Sequence, residues 1–152
     1  MNIRVQTIGL IAFAFLFLGA LVNTAEAREA TISEINGDVM VRQDQGMWQP
    51  AQVGAVLRTN DEIKTAENGS AKILLDNGAV GDVEVAPGSL FKLDVMDIDQ
   101  ATGEKYTLLN LAIGKVLVHA EKLQGDSRFE VRTPTSTTGV RGTMFEVSVE
   151  QA

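Results

Sequence analysis

Apolar and polar side chains alternate with a period of two along much of this chain. The clearest alternating segments are 39–41, 71–75, 91–95, 129–131 and 145–149. Successive side chains of a β-strand point to opposite faces of a sheet, so this pattern predicts strands with one buried face. Many of the apolar positions carry β-branched residues, which strands favour. The sequence therefore predicts an all-β fold.

Turn-forming pairs separate the predicted strands. They are Asn36-Gly37, Asn68-Gly69, Asn77-Gly78, Pro87-Gly88 and Thr102-Gly103. Asn and Gly tolerate positive φ, and Asn-Gly between alternating segments predicts a hairpin. Strands at intervals of about 8 to 12 residues indicate stacked β-sheets, arranged as a sandwich, a barrel or a solenoid.

The motif Gly-x-Val-x-Val occurs three times, at 37–41, 81–85 and 114–118. A glycine before a strand permits a sharp bend or the close passage of another backbone. The irregular spacing leaves two interpretations open, a true internal repeat and coincidence in a valine-rich chain. A true repeat would favour a solenoid-like arrangement.

The N-terminus has the features of a secretory signal peptide. Arg4 precedes an apolar run at 8–22, and Ala25-x-Ala27 fits the small-residue rule for cleavage. We expect residues 1–27 to be removed and residues 28–152 to form one domain outside the cytoplasm, in the periplasm or an equivalent compartment. The alternative is an uncleaved anchor, although the run is shorter than the roughly 20 residues that span a bilayer. We expect no membrane span after cleavage.

Charge and composition narrow the function classes. The formal net charge is −7, which disfavours binding to nucleic acid or to anionic lipid. There is no cysteine, and His119 is the sole histidine, which is too few ligands for a zinc site. The acidic segment 94–104 suggests either a calcium site or, more commonly, a hairpin tip. We expect neither catalysis nor a cofactor.

The closing stretch carries a family resemblance. Its motifs are Thr133-Pro134-Thr135, Gly139-Val140-Arg141-Gly142-Thr143 and Phe145-Glu146-Val147-Ser148-Val149. Upstream motifs in the same order are Gly37-x-Val39-x-Val41, Trp48, Asp61-x-Ile63-x-Thr65, Asn68-Gly69 and Phe129-x-Val131. Together they resemble FecR-like domains over roughly residues 31–150. The resemblance implies an all-β extracytoplasmic domain that binds protein partners without catalysis.

The best-known members of that family also join the domain to a transmembrane helix and to a cytoplasmic segment that binds an alternative sigma factor. Only residues 1–7 precede the apolar run in this chain. The resemblance therefore does not extend to direct control of a sigma factor.

Five residues are candidates for structural or partner contacts: Gly139, Arg141, Gly142, Thr143 and Trp48. A cation beside a buried strand needs a partner, so Arg141 is expected either to tie the last strand to an earlier carboxylate or to contact a partner protein. The candidate carboxylates are those of Asp61, Asp76 and Asp82. The two glycines would permit the tight turn that this tie requires.

Trp48 has two interpretations. A lone tryptophan next to Pro50 commonly fills one end of a β core. The alternative is a platform on which a sugar ring stacks. The preferred hypothesis is an exported, non-enzymatic module for protein binding or signalling in the cell envelope, which pairs through a sheet edge with a partner protein or with itself. The alternative is a module that binds cell-wall carbohydrate.

Overall fold

The computed structural model describes residues 27–140 and 142–150, which form strands and one short 3₁₀ turn. The predicted signal segment, apart from Ala27, and Arg141 lie outside the described residues. The all-β class is confirmed. The strands are β1 Ala30–Asn36, β2 Val39–Arg42, β3 Gln49–Pro50, β4 Val56–Leu57, β5 Glu62–Thr65, β6 Ser70–Leu75, β7 Gly81–Val85, β8 Leu90–Ile98, β9 Lys105–Ala120, β10 Arg128–Arg132, β11 Thr137–Val140 and β12 Met144–Val149, with the 3₁₀ turn at Asp76–Gly78.

One curled and mostly antiparallel sheet folds over on itself to make two layers. Layer 1 has the order β4-β1-β6-β7-β9-β12, and layer 2 has the order β3-β2-β5-β8-β9-β10-β11. The 16-residue strand β9 belongs to both layers. Its first half pairs with β8 and, in parallel, with β10, while its second half pairs with β7 and β12. The sequence predicts stacked β-sheets, and the folding of a single sheet into two layers matches the sandwich alternative better than the solenoid.

The layers join along a line of corners where the long strands bend. Gly37 and Gly114 have positive φ angles of 63° and 93° at two of these corners. A Cβ on Gly37 would lie 1.9 Å from the carbonyl oxygen of Asn68, and one on Gly69 would lie 2.0 Å from that of Asp38. Because neighbouring backbones approach so closely, only glycine fits at these positions.

The prediction of hairpins at Asn36-Gly37 and Asn68-Gly69 is wrong. The chain bends there and continues, so β1 pairs with β6 and β2 pairs with β5. Glycine is required at positions 37 and 69 because two backbones pack closely at the corners, and not because the chain reverses direction there. Asn77-Gly78 and Thr102-Gly103 do lie in the connections of hairpins, between β6 and β7 and between β8 and β9.

The three Gly-x-Val-x-Val motifs serve two purposes. Gly37 and Gly114 lie at corners, while Gly81 begins β7, where a Cβ would lie 2.1 Å from the carbonyl oxygen of His119. The motif thus marks both bends and close backbone contacts, as the sequence suggested. It does not mark successive turns of a solenoid.

The inward faces of both layers share one hydrophobic core. Its largest fully buried side chains are mainly aliphatic, with Phe91 and Phe129 as the aromatic members. Burying one such side chain stabilises the fold by about 1.5–3 kcal/mol. Among the described residues, no helix is both long enough and apolar enough to cross a membrane.

Candidate protein-binding edge

Strand β12 forms one edge of layer 1. It pairs antiparallel with β9, from Met144 opposite His119 to Val149 opposite Gly114. No strand in residues 27–140 or 142–150 pairs with its other side. The other edge strands of the two layers are β3 and β4, which have two residues each, and β11, which has four, whereas β12 has six. Short strands and proline protect sheet edges from pairing, and β12 has neither kind of protection.

The register shows which backbone groups of β12 point outward. The amide of Ala120 donates a hydrogen bond to the carbonyl oxygen of Thr143 at 3.1 Å. Hydrogen-bonded pairs alternate along an antiparallel ladder, so Phe145, Val147 and Val149 also bond to β9. The N–H and C=O groups of the alternate residues therefore face the open side. Those residues are Met144, Glu146 and Ser148.

The side chains of β12 also divide into two sets. Phe145, Val147 and Val149 are half-buried and pack against the core from this edge. The alternate side chains are exposed, and Met144 is 65% exposed. An added strand would cover the partly exposed apolar row and would pair with the free backbone groups.

Gly142 lies at a bend between β11 and β12. Gly142 has a φ of 64°, and a Cβ there would lie 3.1 Å from the Cα of Lys122. The expectation that Gly142 permits a tight turn is therefore supported. The same expectation for Gly139 is wrong, because it lies within β11 opposite Glu130 with open space around it. Thr143 is exposed and contributes its carbonyl to the ladder with β9.

The loop at 133–136 stabilises its own turn between β10 and β11. The Thr133 hydroxyl oxygen accepts a hydrogen bond from the Ser136 amide at 3.1 Å, and the Thr133 amide donates to the Ser136 carbonyl at 2.8 Å. The hydroxyl groups of this segment thus satisfy local backbone groups, as polar side chains in turns commonly do.

The three carboxylates expected to bind Arg141 have other donors. Asp61 is buried and accepts hydrogen bonds from two backbone amides, those of Asp44 and Arg58. Asp82 contacts Lys72 and His119, both at 3.3 Å. Asp76 binds a different arginine, Arg28. The position of Arg141 lies outside the described residues, so its role stays a prediction.

Arg28 ties the two layers together, and no motif in the sequence indicates this role. It lies just before β1, is only 7% exposed, and its Nε lies 2.9 Å from Oδ2 of Asp76. Its Nη1 donates to the carbonyl oxygens of Asp97 and Tyr106 at 3.0 and 2.9 Å. Its Nη2 donates to the hydroxyl of Thr107 at 2.9 Å. The guanidinium fork thus joins the start of layer 1 to the β8–β9 hairpin of layer 2.

Trp48 lies outside the hydrophobic core, so the expectation that it fills one end of the core is wrong. It is half-buried, and the guanidinium of Arg42 lies 4.8 Å from its ring centroid. Arg42 also donates a hydrogen bond of 2.6 Å to Glu62. The loop before the edge strand β3 holds Trp48 at the surface, where a cation–π contact covers one face of its ring. Its neighbour Met47 is 82% exposed.

The acidic segment at 94–104 runs from the end of β8 into the tip of the β8–β9 hairpin, which residues 99–104 form. The Asp99 carboxylate accepts hydrogen bonds from the amides of Ala101 and Thr102 at 2.8 and 3.1 Å. These contacts shape the turn, which supports the hairpin interpretation. Within the described part of the chain, no group of three or more His, Cys, Asp and Glu side chains is arranged to hold a metal ion.

Two ionisable side chains on the outer faces of the sheet have shifted pKa values. Burial raises the pKa of Tyr106 above its usual 10.0, and the nearby charge of Glu130 raises it further. The Tyr106 hydroxyl donates a hydrogen bond to Glu130 at 3.2 Å. Hydrogen bonding to Asp82 and Glu84 raises the pKa of Lys72 above 10.5. Both shifts follow from structural contacts rather than from a cluster of groups arranged for proton transfer.

A shallow groove of about 420 Å³ crosses the outer face of layer 1 and ends at β12. Its charged lining residues are Glu34, Lys72, Glu84, Lys115 and Glu146. Lys115 and Glu146 form an ion pair of 3.3 Å beside the open edge. A strand added to β12 would therefore meet a mixed-charge surface on its outer side.

The fold defines an all-β domain in which the described part of the chain leaves one side of β12 unpaired. The family model described as FecR protein matches residues 61–152, more than half of the chain. The chain therefore belongs to the FecR family, and the resemblance seen in the sequence is confirmed. Comparison with the curated proteins and with the solved structures found no match.

The match covers β5 to β12. The resemblance of residues 31–60 lies before the matched range and stays a prediction. The family is regulatory and signalling rather than enzymatic, it is associated with the cell envelope, and its domains interact with other envelope proteins.

Proposed function

We propose that this chain is an exported, non-enzymatic signalling module of the cell envelope that binds a partner protein by accepting a strand at β12. Residues 1–27 act as a cleaved signal peptide, and residues 28–152 work in the periplasm or an equivalent compartment. Membership of the FecR family and the small-residue cleavage motif support this assignment.

The open edge of β12 carries the proposal. Its three outward-facing residues offer free backbone donors and acceptors, and its inner side chains leave a partly exposed apolar row beside the core. Strand addition uses these two features together, because main-chain hydrogen bonds supply affinity and alternate side chains supply specificity.

The test combines site-specific crosslinking with a backbone substitution. A photoreactive residue replaces Met144 in intact cells, and the control places it at Val53, which is 63% exposed and lies away from β12. Ser148→Pro removes an outward-facing N–H without affecting the ladder with β9, so it should abolish capture at position 144 while the fold survives. Ser148→Thr keeps the donor and should preserve capture.

The proposal predicts one recurrent envelope protein captured from position 144 but not from position 53. Equal capture from both positions, or capture that persists in Ser148→Pro, would show that the partner does not pair with this edge. The mature N-terminus, read by mass spectrometry of the same material, should be Arg28.

Binding of cell-wall carbohydrate is the second candidate, and it rests on Trp48 and the exposed Met47. Arg42 covers one face of the Trp48 ring, which leaves less surface for a sugar to stack on. This function predicts co-sedimentation with purified peptidoglycan that Trp48→Ala abolishes. Co-sedimentation unchanged by Trp48→Ala would count against it.

A further inference from the structure

We infer that Glu146 selects the strand that β12 accepts, by excluding a second copy of this chain and favouring a strand of a different protein with a basic residue opposite Glu146. The inference rests on the proposed function, because it assumes that β12 accepts a strand. It names the chemistry of the partner strand, which the proposed function leaves open.

Glu146 occupies the middle of the open edge. It is the central member of the three residues whose backbone groups point outward, and its side chain is 54% exposed on the outer face. In a hydrogen-bonded antiparallel pair, the Cα atoms of opposite residues lie about 5.5 Å apart. The side chain of a residue opposite Glu146 would therefore lie next to the Glu146 carboxylate.

Pairing with a second copy would place like charges together. Two identical strands that pair antiparallel along their full length are related by a two-fold axis. Met144 then lies opposite Ser148, and Glu146 lies opposite Glu146 of the other copy. Like charges directly opposite each other destabilise a strand pair. A slip of two residues that keeps the paired length sets Glu146 opposite Ser148. It leaves the Glu146 carboxylate diagonal to Glu146 and Glu150 of the other copy, so like charges stay close.

Lys115 does not remove this repulsion. Its Nζ lies 3.3 Å from Glu146, but the two side chains are 50% and 54% exposed. Ion pairs this exposed contribute little, so the Glu146 charge remains available to a neighbour. Lys115 also lies on β9, on the side away from the incoming strand. The net charge of −7 on each copy adds to the repulsion.

The fitting partner strand has two alternating faces. Its inner face carries apolar residues that cover Phe145, Val147 and Val149. Its outer face carries Lys or Arg at the position opposite Glu146, because oppositely charged cross-strand pairs stabilise pairing. The partner is therefore a strand-forming segment of another protein that is basic on its outer face.

Two synthetic peptides test this selection against the full chain. One has the sequence of residues 143–150, and the other carries the Glu146→Lys change. We expect the changed peptide to bind the wild-type chain about threefold to tenfold more tightly than the unchanged one. Glu146→Gln in the chain should remove this preference and should increase self-association in sedimentation. The control is Glu34→Gln, which changes the net charge by the same amount at a position away from β12. It should neither remove the preference for the changed peptide nor increase self-association.

The outcomes separate the two hypotheses. Equal binding of both peptides to the wild-type chain, with binding abolished by Ser148→Pro, would overturn the role of Glu146 and leave the open edge as the binding site. No binding of either peptide would overturn the inference and would count against the proposed function as well. Strong self-association of the wild-type chain, unchanged in Glu146→Gln, would also overturn the inference.

Discussion

Replacing Arg28 by alanine should destabilise the domain strongly. The guanidinium is 7% exposed and supplies donors to a carboxylate, two backbone carbonyls and a hydroxyl. Asp76 would keep its ion pair with Lys105 at 2.8 Å, so its charge would not be left alone. The two carbonyls and the Thr107 hydroxyl would each lose a donor in a mostly buried place. Each unsatisfied group costs about 1–3 kcal/mol, and water that enters the site relieves part of this cost. We therefore expect the free energy of unfolding to fall by about 3–5 kcal/mol.

Urea denaturation of the purified protein measures this loss as a change in the free energy of unfolding. Arg58→Ala is the matched control, because Arg58 pairs with Glu29 at 3.6 Å while 62% exposed. Exposed pairs are worth about 0–1 kcal/mol, so the control should change little. Arg28→Lys should give an intermediate loss, since one ammonium cannot reproduce the planar fork. If Arg28→Ala costs no more than Arg58→Ala, Arg28 does not tie the two layers together.

Three further predictions address the corners, a pKa and the surface tryptophan. Gly37→Ala should lower the free energy of unfolding by at least about 2 kcal/mol in urea denaturation, because its Cβ would overlap the Asn68 carbonyl. Gly54→Ala, at a residue with positive φ but open space around it, should lower it by about 1 kcal/mol. Equal losses would contradict the conclusion that the Asn68 backbone requires glycine at position 37. In an absorbance titration, the sole tyrosine, Tyr106, should ionise above its usual pKa of 10.0, so its contribution to stability should be complete below that pH and lost as pH rises through the folded pKa. Glu130→Gln should lower the titration midpoint only partly, because burial also raises the pKa. A midpoint at or below 10.0 would refute the conclusion that burial raises the pKa of Tyr106. Trp48→Ala should lower the free energy of unfolding by about 1 kcal/mol, and a loss of about 3–5 kcal/mol would show that Trp48 packs in the core after all.

The strands were predictable because their signal is local. Alternation at 71–75, 91–95 and 145–149 places apolar side chains on one face, and these segments became β6, part of β8 and β12. The period of two depends only on backbone geometry, so it identifies strands regardless of which strands pair. The hydrogen bonds of the loop at 133–136 are also local, because its hydroxyl groups bond within the loop.

The corners were harder to predict because their cause is not local. Asn36-Gly37 has the sequence of a hairpin turn, but the residue that requires glycine there is Asn68, whose carbonyl passes close by. A single sequence shows that glycine is present without showing which backbone approaches it. Hairpins and bends therefore look alike until the pairing of the strands is known.

The candidate contacts were least predictable. Arg28 directly follows the predicted cleavage site, and this position indicates signal-peptide processing rather than a buried side chain. Its acceptors lie 48 to 79 residues away in the chain, and no local pattern connects them to it. The average behaviour of tryptophan favours the core interpretation of Trp48, whereas its position next to an edge strand leaves it at the surface, with Arg42 over its ring.

Amide hydrogen exchange of β12, with and without the partner captured from position 144, tests the central claim most directly. In the domain alone, the amides of Met144, Glu146 and Ser148 should exchange fast, while those of Phe145 and Val147 should be protected by β9. Binding of the partner should slow exchange at the first three. Protection that appears elsewhere in the domain while these three amides stay fast would show that the partner binds another surface.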